Sequence, residues 1–585
     1  MKILLAAVNA KYIHSNLAVY CLKSYAASKG QEAEIAEYTI NQQTGEVLRD
    51  LYERNADMVA FSCYIWNIEF IKSIIKDYKK IRPRCEIWLG GPEVSYRAEE
   101  LLTELPEVRG VMVGEGEETF ARLATAYREV EQKGMLPWKE IPGIVVRQNN
   151  GEILTTPPAH PLDFSSLPFP YGDENLSFFD NRIIYYEASR GCPFSCAYCL
   201  SSLDKRVRFR NMDLVKQELK FFLDRKVPQI KFIDRTFNIN GPRTVELLQF
   251  IKGNDNGITN FHFEVAAELL TKEQIEILNS LRPGLVQLEI GVQSTNDETL
   301  TAVNRKTELS ELKKTVAAVR KKKNVHIHLD LIAGLPKEDL ESFKNSFNEV
   351  YQMNPHQLQL GFLKVLFGAP MEGMATDNGI VYQSAPPYEV LSTKWLSYEN
   401  IILLKKVEEL VEVYTNSGQF VYSMMYLQKF ASSPFDLYEK LAAYYEEKNY
   451  AGLKLSRNKR YEILWEFAKE IVFEKDNCKT SRVFREILFF DYCLREKPKS
   501  RPSFVEHSQM DKQTLKNSYL AFGVKREEEG MHDIEEFSFD PVKTAESGMA
   551  TGESCLVLFS YEKREAMYGG AVWQSAEYQQ KKKNG

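Results

Sequence analysis

No uninterrupted apolar run in the 585 residues reaches the ~18 that a helix needs to cross a bilayer. The opening Met1–Asn9 is too short an apolar stretch, and lacks the small-residue cleavage site, for a secretory signal; a buried first strand and a cytoplasmic location are the expectation. Cysteine is sparse, nine in all, which excludes a disulfide scaffold. Neither sign of charge is in excess: 75 Lys plus Arg against 81 Asp plus Glu leave −6, which excludes a strongly basic, wholesale nucleic-acid binder. What is present is an ordinary globular balance, 44% hydrophobic and 27% charged, in a chain long enough for roughly three or four units.

Short apolar runs alternate with amphipathic stretches over residues 1–140. Strands are expected at Ile3–Val8, Ala33–Tyr38, Met58–Ser62, Glu86–Gly90 and Gly110–Val113, with helices at Leu17–Ser28, Ile68–Tyr78 and Thr119–Tyr127. That rhythm implies an α/β fold, a Rossmann-like doubly wound domain with ligand loops at Asn9–Asn16, Ser62–Asn67, Gly90–Ser95 and Gly114–Glu118. Six prolines (142, 157, 158, 161, 168 and 170) mark residues 141–182 as a short β element and an extended linker. Six further βα-like units fill 183–375, on strands starting near Ile183, Gln229, Phe261, Leu285, Val325 and Gln357. A partial (β/α)6 barrel is expected, with its chemistry at the carboxyl ends of the strands; alternation alone does not separate it from a small closed barrel or an open sheet. Residues 376–585 read as a mainly helical domain with a late hairpin, Cys555–Phe559 against Tyr568–Val572, and a frayed tail, Gln579–Gly585.

Cys192-x3-Cys196-x2-Cys199 follows the first barrel strand, within Arg190-Gly191-Cys192-Pro193-Phe194-Ser195-Cys196-Ala197-Tyr198-Cys199. Gly191 and Pro193 make this a loop, so three buried small hydrophobes are a poor account of it. A closed zinc site needs a fourth ligand, and the nearest downstream histidine is His262; a distant ligand keeps zinc open. Three thiolates on a [4Fe–4S] cubane leave one iron for an outside ligand.

This loop ahead of a βα barrel resembles the radical S-adenosylmethionine (SAM) enzymes. The resemblance extends to Ile233-Asp234-Arg235-Thr236-Phe237-Asn238, Glu289-Ile290-Gly291-Val292-Gln293-Ser294 and Asp330-Leu331-Ile332-Ala333-Gly334-Leu335-Pro336. It implies a cluster on Cys192, Cys196 and Cys199 whose open iron chelates SAM, and one-electron cleavage to methionine and a 5′-deoxyadenosyl radical. It also implies a low-potential electron donor such as flavodoxin or ferredoxin. The SAM contacts implied are Tyr198 beside the adenine, Asp234, Glu264, Gln293, Ser294, Arg305 toward the carboxylate and Gly334; each also has a plain structural reading as packing, turn or surface charge.

The order of domains, with Gly90-Gly91-Pro92-Glu93 and Val113-Gly114-Glu115-Gly116-Glu117-Glu118, resembles the cobalamin-binding class of that superfamily. The implied cobalamin contacts are Asn9, His14, Ser62, Gly90, Gly91, Pro92, Glu93, Gly114, Glu115 and Gly116. One departure matters: the Asp-x-His-x-x-Gly signature for a lower-face histidine is absent, and Asn9–Asn16 stands in that loop. His14 is a candidate for cobalt, or for capping and phosphate contact. The resemblance points to methyl transfer to an unactivated carbon of a small molecule or peptide. Rearrangement, RNA modification and a non-catalytic iron–sulfur sensor are the alternatives. Basic segments at Arg457–Tyr461 and Lys479–Arg501, interleaved with Phe484, Phe489, Phe490 and Tyr492, fit an amphipathic helix better than a nucleic-acid surface.

Overall fold

Every residue of β1 (Ile3–Asn9) is buried. Alternate side chains serve two cores, Leu4, Ala6 and Val8 on one side and Ile3, Leu5 and Ala7 on the other. Burial on both faces suits a parallel strand between layers of helix. β1 pairs in parallel with β2 (Glu34–Thr39) and β3 (Met58–Ser62), and β4 (Glu86–Gly90) and β5 (Gly110–Met112) extend the sheet beyond β3. Strand order β2-β1-β3-β4-β5 reverses at β1, the kind of switch point where such sheets bind ligands. The computed structural model describes residues 1–133, 136–172, 179–473, 479–495, 497–498, 502–505 and 510–577; the tail expected to fray lies outside them.

In the first domain three helices not singled out in the sequence are present among the described residues, Thr44–Arg54, Pro92–Ser95 and Ala98–Glu104. The first buries only Val47 and Leu51, too thin a stripe to stand out as periodicity. The helix expected from Thr119 starts at Gly116, so Glu117 and Glu118 occupy its first turn, where the helix dipole favours carboxylates.

The sheet does not stop at residue 140. β6 (Ile144–Arg147) pairs antiparallel with β5, and β7 (Ile153–Thr155) with β6. Ile144, Val145 and Val146 are buried, and they cover an edge that β5 would otherwise expose. Part of the expected linker is therefore sheet.

The second sheet begins with β8 (Ile184–Tyr186). A two-stranded ribbon, β9 (Ser189–Arg190) and β10 (Arg208–Phe209), stands beside it, and β11 (Gln229–Phe232), β12 (Asn260–Val265), β13 (Val286–Gln293), β14 (His326–Ala333) and β15 (Gln357–Phe362) follow. The six strands β8 and β11 to β15 pair in parallel in chain order, leaving β8 and β15 as the two edges, as a partial barrel requires.

Both edges are covered. At β8, Ile183 N donates to Ile13 O at 2.8 Å and Ser15 Oγ to Ile183 O at 3.0 Å, so the first domain seals that side. At β15, Asn416 accepts from Leu358 N at 2.8 Å and donates to Leu358 O at 2.9 Å. An uncovered edge would present free ladder groups to other chains.

After the ribbon of β16 (Val381–Tyr382) and β17 (Val390–Ser392) comes a domain of mostly helices with a late sheet, mixed in class. β18 (His532–Phe537), β19 (Cys555–Arg564) and β20 (Ala571–Glu577) form an antiparallel sheet of three. The expected hairpin is its second half, with the partner shifted toward Glu577; β18 was hidden by the acidic sequence His-Asp-Ile-Glu-Glu-Phe. Phe484, Phe489, Phe490 and Tyr492 are buried within this domain, where they serve the core.

Candidate functional site

The cysteine loop is closed by backbone. Gly191 has φ +99, and a Cβ there would lie 2.6 Å from Arg206 O, so only glycine fits. Cys192 N donates to Asp204 O at 2.9 Å, and β9 and β10 zip the loop's two ends together. Cys192 and Cys196 are buried and Cys199 half-buried. All three line a cavity of about 870 Å³ beside the barrel strands, with Tyr198, Glu264, Gln293 and Arg305 in the same wall. Among the described residues, no three His, Cys, Asp or Glu side chains converge to hold a single metal ion.

Arg305 reaches into this cavity, its Nη1 3.7 Å from Cys196 Sγ and 3.4 Å from the Tyr198 hydroxyl, while Nη2 donates to Gly291 O. A register shift between Gly291 and Gln293 breaks the β13–β14 ladder, and Gln293 sits at φ +73. That bulge re-aims the glutamine into the cavity wall. A Cβ at Gly291 would collide with the Gln293 amide.

Glu289 and Asp330 join the wall although the sequence did not single them out as contacts. Register explains the grouping: Glu264 is opposite Glu289, and Gly291 opposite Asp330. Burial pulls the Glu289 carboxyl up, but a 2.8 Å contact with His262 Nε2 and the Lys231 ammonium at 3.1 Å hold it down, at about 2. Burial, with Glu289 and then Glu264 adding like charge, pushes Asp330 well above the usual carboxylate range. Burial likewise raises Glu264 and lowers His328 to about 4. Period-two polar residues on separate strands were the available signal; only pairing brings them together.

A second cavity, about 570 Å³, lies at the carboxyl ends of the first sheet and faces the barrel. Asn9, His14, Ser62, Gly90 and Gly91 line it, as do Gly114, Glu115 and Gly116. Of the expected cobalamin contacts, Pro92 and Glu93 lie outside this wall. Pro92 opens the helix Pro92–Ser95, and Glu93 accepts from the Tyr388 hydroxyl at 2.5 Å, tying the first domain to the segment after the barrel. His14 Nδ1 is 2.7 Å from the Tyr185 hydroxyl, an interdomain contact, and burial lowers its pKa. Tyr64 and Trp66 also line the cavity, their rings stacked 4.3 Å apart at 7°. Arg235 and Glu264 line both cavities, so the two spaces meet at the ends of β11 and β12.

Three expected SAM contacts lie outside the cysteine-lined cavity. Asp234 is buried and accepts from Ser189 Oγ at 2.6 Å and Ala188 N at 2.9 Å, bracing the segment that leads into the cysteine loop. Ser294 Oγ donates to Glu338 Oε1 at 2.6 Å inside the core. Gly334 (φ +90) packs under Val390, whose Cγ1 a Cβ would meet at 2.7 Å. Burial pushes Asp234 up to about 7. A carboxyl raised in the fold stabilises fully below its unfolded value, and that contribution is lost as pH rises through the folded one. Asp234→Asn is therefore expected to flatten the fall in urea midpoint between roughly pH 4 and pH 8, measured against wild type.

The residues present fit the groups the class implies. Gln293 Oε1, Arg305 Nε and Asp330 Oδ1 are buried in the cysteine-lined wall without hydrogen-bond partners, as suits a polar ligand. Asp330 Oδ1 is 3.1 Å from His328 Nε2, but the pair is misaligned for a bond. In the other cavity, nothing lies within 4 Å of where a Cβ on Gly114 would stand, which leaves a smooth wall for a large flat group.

A doubly wound domain set against a partial barrel with a three-cysteine loop defines the class. Residues 3–124 match the B12 binding domain family and 186–350 the radical SAM superfamily, while 376–552 match a protein family of unknown function, DUF4080. The chain thus carries a cobalamin-binding B12 domain followed by a radical SAM domain. It is 24% identical over 319 residues to 2-(S-pantetheinyl)-carbapenam-3-carboxylate methyltransferase of Streptantibioticus cattleyicolor, covering 52% of this chain and 46% of that one. With the cobalamin-dependent radical SAM methyltransferase TokK of Streptomyces tokunonensis it shares 25% over 341 residues, 54% and 48% of the two chains. The matches thus span about half the length of these relatives. In fold it is similar to the radical SAM methyltransferase TsrM from Kitasatospora setae, solved with cobalamin and a [4Fe–4S] cluster: TM-score 0.54, 18% identity, 66% of this chain and 80% of that one. Among the described residues, no helix is long and apolar enough to cross a membrane.

Proposed function

We propose that the chain cleaves SAM reductively at a [4Fe–4S] cluster on Cys192, Cys196 and Cys199 and, with cobalamin between the domains, methylates an unactivated carbon. The observation that carries this reading is the meeting of the two cavities at Arg235 and Glu264. A cluster held there supplies the single electron for SAM cleavage, and cobalamin supplies a transferable methyl group. Arg305 is assigned to the SAM carboxylate, since a guanidinium matches a carboxylate bidentately. Glu264, Gln293 and Asp330 are assigned to its amino and hydroxyl groups, and the Tyr198 ring to the adenine. A protonated Asp330 donates a hydrogen bond where an ionised one only accepts, so its raised pKa suits it to a ribose oxygen.

The electron donor is proposed to be a flavodoxin- or ferredoxin-like protein, and the substrate a small molecule or peptide. The test is anaerobic reconstitution with iron, sulfide, hydroxocobalamin, SAM and a low-potential reductant. 5′-Deoxyadenosine together with S-adenosylhomocysteine is the expected pair by mass spectrometry. 5′-Deoxyadenosine alone would move the reading to rearrangement without methyl transfer, and neither product would leave a non-catalytic cluster protein.

A further inference from the structure

The two cofactor loops are fastened to each other by an ionic knot. Arg190, two residues before Cys192, donates through Nη2 to Glu117 at 2.9 Å and to Glu187 at 2.8 Å, with Nη1 3.3 Å from Glu115. Arg208, its partner across the ribbon, donates through Nη1 to Glu115 at 3.1 Å and pairs with the same carboxylate through Nη2. Arg208 also reaches Asp204, whose carbonyl receives the Cys192 amide. Both strands that close the cysteine loop therefore send an arginine into the acidic turn of the first domain. Side-chain exposure is 18% for Arg190 and 7% for Glu117, so the pairing is largely shielded from water. Screened surface pairs hold little, but shielded, multiply bonded ones fix geometry.

Glu115, Glu117, Glu187 and Arg190 also line the cavity between the domains. A ligand entering that space touches the knot itself. Glu115, an expected cobalamin contact, lines that cavity and also hydrogen-bonds to the ribbon.

We propose that Glu115 and Glu117 are positioning residues that hold the loop of Cys192, Cys196 and Cys199 through Arg190 and Arg208, and that filling the interdomain cavity is transmitted to the metal-binding loop by this route. The proposal rests on the reading that those cysteines hold a cluster.

The test compares wild type, Glu115→Gln/Glu117→Gln and Glu118→Gln after anaerobic reconstitution, timing removal of iron by bathophenanthroline with and without hydroxocobalamin. Glu118 is the control, because its partners Tyr25 and Arg122 belong to its own domain. Without corrin, the double variant is expected to lose iron about tenfold faster than wild type, the scale of lost outer-shell support. Hydroxocobalamin is expected to slow loss about fivefold in wild type and Glu118→Gln, a modest coupling energy, and to leave the double variant unaffected. The single variant Glu117→Gln, which keeps Glu187 on Arg190, covers failure of the double variant to fold and is expected to show a weakened corrin response. Stripping rates and corrin responses equal to wild type in both variants overturn the proposal while leaving the cluster reading intact. A wild type that takes up no iron overturns both.

Discussion

With Cys192, Cys196 and Cys199 all replaced by alanine, the protein is expected to fold, to bind no iron where wild type binds about four per chain, and to form no 5′-deoxyadenosine above background. The fold tolerates the change because the thiols carry little of it. Cys192 Sγ has weak contacts, 3.9 Å from Thr236 Oγ1 and with the Phe194 backbone amide, and Cys196 Sγ meets the Tyr198 hydroxyl and Arg305, which keeps its bond to Gly291 O. Gly191 and the β9–β10 pairing still set the loop. Iron and sulfide assay, the cluster absorption band and circular dichroism together check this. Iron retained at the wild-type level by the folded triple variant would remove the cysteines from the site.

The second large effect is on stability. Arg210 and Glu218 are an ion pair with 7% side-chain exposure on each partner. Arg210 Nε donates to Glu218 at 2.9 and 3.0 Å, Nη2 adds a third bond, and Nη1 donates to Phe164 O at 2.9 Å. The Tyr186 hydroxyl donates to the same carboxylate at 2.6 Å. The group fastens the segment after the first sheet to the first barrel strand. Glu218→Ala strands a buried guanidinium and is expected to cost about 3–5 kcal/mol. Arg210→Met combined with Glu218→Leu removes both charges and is expected to be far less destabilising than the single change. Urea unfolding of the two singles and the double checks this; a double variant as unstable as the singles combined would mean the charges were not the cause.

The linker illustrates where pattern reading stops. Prolines between 142 and 170 punctuate the chain correctly, yet β6 and β7 lie among them, because three buried residues suffice once β5 offers an edge. A short antiparallel strand has no periodicity of its own; its partner makes it. β18 was missed for the same reason, since its acidic sequence becomes a strand by lying against Cys555–Ser560.

The candidate site divides the same way. Cys192, Cys196 and Cys199 are one loop, so spacing alone identifies them. Glycines at strand ends were equally legible, since a turn's demand for positive φ is local. Asp234, Ser294 and Glu93 stand beside the right strands while their side chains bond to Ser189, Glu338 and Tyr388, and a motif cannot say which way a side chain leaves the backbone.

The sequence by itself determined the order of domains, the strands and helices with strong periodicity, and the three-cysteine loop. Those are properties of neighbours along the chain. Tertiary structure decided that Asp330 and Glu289 join Glu264, that the acidic turn of the first domain grips the ribbon around the cysteines, and that two cavities share Arg235 and Glu264. Each of these depends on strand register or on domain docking, where residues far apart in the chain meet only because burying the faces between them fixes one arrangement.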